Sequence, residues 1–132
     1  MAQVMREPYG GTVLMGLDMY LYEKQVHEVA YWRKANAIHN WIINYAGVED
    51  NCTPISLTKE DLIQLRNVCS EVLLAYTEEA AMDLLPPASG FFFGSTAVDE
   101  WYWEDIRETI DKINTALEQS VDDAMFEYQA SW

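Results

Sequence analysis

Ala30-Tyr-Trp-Arg-Lys-Ala-Asn-Ala-Ile-His-Asn-Trp-Ile-Ile-Asn-Tyr-Ala46 is the stretch on which the fold turns. Tyr31, Ala35, Ile38, Ile42 and Tyr45 recur at helical spacing with Trp41 beside them, and Gly47 follows where a helix terminator belongs. The pattern predicts a first helix over residues 30–46. Upstream, Leu17, Met19 and Leu21 alternate with Asp18, Tyr20 and Tyr22, so residues 13–22 read as a strand with two unlike faces. Residues 1–12 contain Pro8, Gly10 and Gly11 without any periodicity and are expected to form a flexible leader before a single domain over 13–132.

Downstream of the first helix, a polar loop leads to a short extended piece at Ile55. Thr58-Lys-Glu-Asp61 then has the form of a capping box, with Asp in place of the usual Glu. Leu62, Leu65, Cys69, Val72 and Tyr76 mark the inward stripe of a second helix, and Leu84-Leu-Pro-Pro87 breaks the pattern. Gly90-Phe-Phe-Phe-Gly94 reads as a buried strand, after which Ser95 or Thr96 caps a third helix running to about residue 119. Ile106, Ile110, Ile113 and Leu117 give that helix its inward face. Asp122 and Asp123 favour a turn before a final strand over 125–132. The expected fold is α+β: a small sheet of three or four strands packed with three helices.

The chain has 132 residues, half of them hydrophobic, enough for one core. Eight Lys and Arg stand against 22 Asp and Glu, a formal charge of −14 that repels phosphate backbones and argues against direct DNA or RNA binding. No apolar stretch is long enough to span a bilayer and the first residues lack a signal-peptide pattern, so a cytoplasmic location without membrane association is expected. Cys52 and Cys69 form no Cys-x-x-Cys pair. His27 and His39 belong to no zinc-enzyme motif. No metal, no cofactor and no catalytic residue is assigned.

Residues that could hold a ligand do recur. At about 100° per residue on the helix over 30–46, Trp32, Asn36, His39 and Ile43 form a stripe beside the core face, with Arg33 or Lys34 nearby for an anion. An aromatic plane, an amide and an imidazole can stack on a base and bond its edge. The competing reading puts Trp32 at the edge of the sheet and makes His39 a satisfied boundary residue. Ser95 and Thr96 precede a helix start, where backbone N–H groups attract anions, although the lysine of a phosphate loop is absent. Asp99-Glu-Trp-Tyr-Trp-Glu-Asp105 places four acids and three aromatics at the same helix start; it reads as a solvated face with an aromatic anchor.

Four segments together carry a resemblance: Met15-Gly-Leu-Asp-Met-Tyr-Leu21, Ala30-Tyr-Trp-Arg-Lys-Ala-Asn-Ala-Ile-His-Asn-Trp41, Gly90-Phe-Phe-Phe-Gly-Ser-Thr96 with Asp99-Glu-Trp-Tyr102, and Ala130-Ser-Trp132. From Met15 onward the chain resembles a widespread family of small phage and prophage proteins, for which no catalytic residues can be carried over. The resemblance implies action in the host cytoplasm against bacterial defence. The leading expectation is a non-enzymatic protein that binds and sequesters a nucleotide-derived immune signal, a cyclic dinucleotide or an ADP-ribose derivative. Its expected ligand-binding set is Trp32, Arg33, Lys34, Asn36, His39, Ser95, Thr96 and Trp101. A homo-oligomer would suit such a role, because two chains can build one deeper pocket. The alternative expectation is an acidic inhibitor that mimics nucleic acid and binds a host defence protein directly.

Overall fold

A computed structural model of the chain describes residues 16–24, 27–88 and 97–131. Four strands, β1 (Asp18–Glu23), β2 (His27–Arg33), β3 (Ile55–Thr58) and β4 (Met125–Ser131), form an antiparallel sheet in the order β2-β1-β4-β3. Among the described residues there are four helices: α1 (Asn36–Ala46), α2 (Lys59–Ala75), α3 (Glu78–Leu84) and α4 (Glu100–Gln119). The fold is α+β. None of these helices is long and apolar enough to cross a membrane.

Strand alternation sorts the sheet into two faces. Met19 and Leu21 of β1, Ala30 and Trp32 of β2, Phe126, Tyr128 and Ala130 of β4, and Ile55 and Leu57 of β3 share one face and are all buried. Ile38 and Ile42 of α1, Leu62, Leu65, Cys69 and Val72 of α2, and Ile106 and Ile113 of α4 join them in one core. The opposite face carries Asp18, Tyr20, Tyr31 and Arg33. Between β1 and β2 the register slips at Leu21/Tyr22, a bulge that lets Ala30 pair with Leu21 while Glu28 pairs with Tyr22.

The main correction falls on residues 30–46. Only the part from Asn36 onward is helix, while residues 30–33 belong to β2, with Ala30 and Trp32 inward and Tyr31 and Arg33 outward. Lys34 divides the two elements because its φ is +59°, a left-handed conformation that no continuous α-helix contains. The expected terminator holds: Gly47 is left-handed at φ +69° and its N–H bonds the Ile43 carbonyl.

The capping box is present in full, with the Asp61 N–H on Thr58 Oγ1 at 3.1 Å and the Thr58 N–H on Asp61 Oδ2 at 2.7 Å. Tyr76, expected on the inward stripe, instead ends α2 as a left-handed cap and is exposed. Thr77 then caps the short α3, an element that the periodicity did not separate from α2. Asp99 caps α4, so the helix begins later than a cap at Ser95 or Thr96 would place it. The expected Phe-rich strand, Ser95, Thr96 and the leader lie outside the described residues.

Trp32 is a core residue at 3 % exposure, and its indole N–H donates to Thr109 Oγ1 of α4 at 2.8 Å. Trp32→Ala is therefore expected to destabilise the fold by about 3–5 kcal/mol, the usual range for truncating a buried aromatic. Urea denaturation followed by far-UV circular dichroism measures it.

Candidate functional site

The turn from β2 into α1 is built almost entirely by backbone. The Lys34 N–H bonds the Leu17 carbonyl at 2.9 Å, and Ala35, at φ −81° and ψ 70°, is the centre of an inverse γ-turn closed by the Asn36 N–H on the Lys34 carbonyl. The Ile38 and His39 N–H groups both reach the Ala35 carbonyl. No side chain caps α1 and no acid occupies its first turn, so the positive end of its dipole is uncompensated from within the helix.

Opposite lies the start of α4. Residues 85–88 strap the two helix starts together: Tyr102 donates its hydroxyl hydrogen to the Leu85 carbonyl at 2.8 Å, Asn40 Nδ2 donates to the Pro86 carbonyl, and the Ala88 N–H donates to Asn36 Oδ1. Between the helix starts is a cleft of about 310 Å³, lined by Arg33, Lys34 and Asn36 on one side and by Asp99, Trp101 and Asp105 on the other. Trp101 is 77 % exposed at the cleft. Lys34 is exposed as well.

Arg33 is anchored. Its Nη1 donates to Asp18 Oδ1 at 2.8 Å, and the Tyr31 hydroxyl donates to the same oxygen at 2.7 Å. Burial and the bond to Asp18 push the Tyr31 hydroxyl well above the usual phenol range. Gly16 lies against the guanidinium: a Cβ there would come within 2.0 Å of Arg33 Nη2, so any other residue would displace the side chain. A guanidinium has donors beyond the one that holds Asp18.

Like Asp99, Asp105 is a half-buried acid of the cleft. Burial first, and then the neighbouring Glu108, Asp99 and Glu104, push its carboxyl up to about 7, with only Lys112 acting in the other direction. Near neutral pH it therefore exists both as a carboxylic acid, which donates and accepts, and as a carboxylate, which only accepts.

Of the expected ligand-binding residues, the structure brings Arg33, Lys34, Asn36 and Trp101 to one cleft. Trp32 and His39 are not part of it. Trp32 faces the core from β2. His39 is 1 % exposed and bridges two elements, with Nδ1 2.5 Å from the Tyr128 hydroxyl and Nε2 2.8 Å from Asp50 Oδ1. A carboxylate can only accept, so Nε2–H donates the hydrogen bond to Asp50, and in the neutral imidazole that tautomer leaves Nδ1 to accept from the Tyr128 hydroxyl. The imidazole thereby ties the loop after α1 to the buried end of the β4 tyrosine. Asp105 was missed by the sequence reading, although its spacing of one helical turn from Trp101 marks the two as sharing a face.

Set against known protein families, curated proteins and solved structures, the chain matches none of them.

Two outcomes follow for stability. His39→Leu strips the fully buried Tyr128 hydroxyl of its partner and is expected to cost about 1–3 kcal/mol, read by urea denaturation. Asp105 has a folded-state value above its ordinary one, so its contribution is intact below the ordinary value of 3.8 and is lost as pH rises through about 7. Asp105→Asn removes this dependence. Its melting temperature relative to the native chain should rise across that window, as checked by calorimetry at several pH values.

Proposed function

We propose that this chain is a non-enzymatic binding protein that takes a nucleotide-derived small molecule into the cleft between the starts of α1 and α4. The observation that carries the reading is the juxtaposition of an exposed indole, Trp101, with two cations, Arg33 and Lys34, around one concave site. Exposed tryptophan suits base stacking, and cations beside an uncapped helix start suit a phosphate. The volume of about 310 Å³ lies at the small end of the range for ligand pockets, which suits a single nucleotide unit. A cyclic dinucleotide or an ADP-ribose derivative would extend beyond it, into solvent or into a cleft shared with a second copy. With the resemblance to phage proteins, the reading is sequestration of an immune signal in the host cytoplasm.

A second reading rests on α4, where Glu100, Glu104, Glu108 and Asp111 are all exposed at spacings that place them along one side of the helix. Such a stripe would let the chain imitate nucleic acid and occupy a basic groove on a defence protein.

Titration with a panel of mononucleotides by calorimetry separates the two. Under the cleft reading, Trp101→Ala weakens binding about ten- to a hundredfold, the worth of one base–aromatic stack, and leaves the melting temperature unchanged. Lys34→Ala weakens nucleotides but not the matching nucleosides. If no nucleotide binds, while Glu104→Lys abolishes salt-sensitive binding to a purified basic defence protein, the second reading replaces the first.

A further inference from the structure

We infer that the cleft selects the adenine edge and that Asp105 is the residue that reads it. The inference rests on the nucleotide-binding reading and adds to it the base and the side chain that chooses it.

Trp101 and Asp105 are separated by one turn of α4, about 6 Å along the axis, and both line the cleft. That separation is on the scale of a purine ring system, so a base stacked on the indole can present its polar edge to the carboxyl one turn further along. The cations stand across the cleft from these two residues, on the β2–α1 turn, where a phosphate attached through the sugar would lie.

The charges around Asp105 decide which edge fits. From α4 and its cap it faces Asp99, Glu104 and Glu108, with Lys112 as the opposing cation. Lys112 is itself shared, 3.4 Å from Glu108 and over the Trp32 ring at 5.5 Å. From β2 comes Arg33, held by Asp18. The turn supplies Lys34, and α1 supplies the neutral Asn36. Near neutrality the carboxyl can therefore hold its proton, as described above. A protonated carboxyl donates O–H to adenine N1 and accepts from the N6 amino group. A carboxylate offers two acceptors, which match instead the N1–H and N2 amino donors of guanine. Base choice is thus coupled to a proton on one side chain.

The test uses cyclic AMP and cyclic GMP, whose phosphodiester keeps one charge where a phosphate monoester would titrate at about 6. The full chain and Asp105→Asn are titrated by calorimetry at about pH 6 and about pH 8. Asparagine presents one donor and one acceptor at every pH, imitating the acid form. The native chain should prefer cyclic AMP at the lower pH and lose roughly tenfold affinity for it at the higher, while Asp105→Asn holds it equally at both. Proton uptake by the native chain, measured at the higher pH in buffers of different ionisation enthalpy, should approach about one per ligand bound. Equal affinity of the native chain for cyclic AMP at both pH values, or the same pH dependence in Asp105→Asn, overturns Asp105 as the reader. A native chain that binds cyclic GMP as well as cyclic AMP at the lower pH overturns the adenine choice. Either result leaves the nucleotide reading standing, whereas no binding of either compound at either pH overturns both.

Discussion

The indole N–H of Trp32 is the interaction on which the rest of the arrangement depends. It donates from the core face of β2 to Thr109 of α4, and the Thr109 hydroxyl in turn donates to the Asp105 carbonyl at 2.7 Å, one turn earlier in the same helix. Close packing already limits how α4 sits on the sheet, but it is non-directional. A hydrogen bond in a dry interior adds a direction to that packing. By tying the roll of α4 to β2, the Trp32–Thr109 bond fits an arrangement in which Trp101 is exposed at the cleft, Asp105 lines it, and Lys112 rests over the Trp32 ring.

Much of the scaffold was legible from local chemistry. The Thr58–Asp61 box, the Gly47 terminator, the inward residues Leu62, Leu65, Cys69 and Val72 and the alternation of β4 are determined by near neighbours in sequence, and the structure has them. The β2–α1 junction was hidden for a physical reason. Alternation over residues 30–33 is too short to outweigh the longer helical period behind it, and the left-handed turn that separates them falls on Lys34, a residue type carrying no turn signal. The error propagated to the site. Treating Trp32 and His39 as one helical stripe with Asn36 assigned an exposed role to two side chains that the sheet and the loop after α1 bury. Arg33, Lys34, Asn36 and Trp101 were found by type, while Asp105 required knowing which of the four clustered acids line the cleft.

Electrostatics give the cleft its character against the rest of the molecule. The chain carries a formal charge of −14, yet the start of α1 has no acidic residue in its first turn and is flanked by two of the eight Lys and Arg. The start of α4 is the reverse, with Asp99 and Glu100 compensating its dipole. One wall of the cleft is therefore positive and the other is acidic with a proton to share. Under the proposed function, a ligand with an anionic end and a hydrogen-bonding ring would meet both walls in one orientation only. Arg33 is held by an ion pair with Asp18 and packs against Gly16, which leaves Lys34 as the exposed charge of the pair.

Lys34 also bears on how relatives of this chain would diverge. Its backbone conformation is one in which glycine or asparagine is more comfortable, so drift under selection for stability alone would move position 34 toward those residues. Homologues that keep a basic residue there do so against that drift. Under the proposed function the position becomes a marker in the lineage: a retained lysine or arginine would be the sign of selection for an anion at this turn, and glycine or asparagine the sign of a scaffold kept for stability alone.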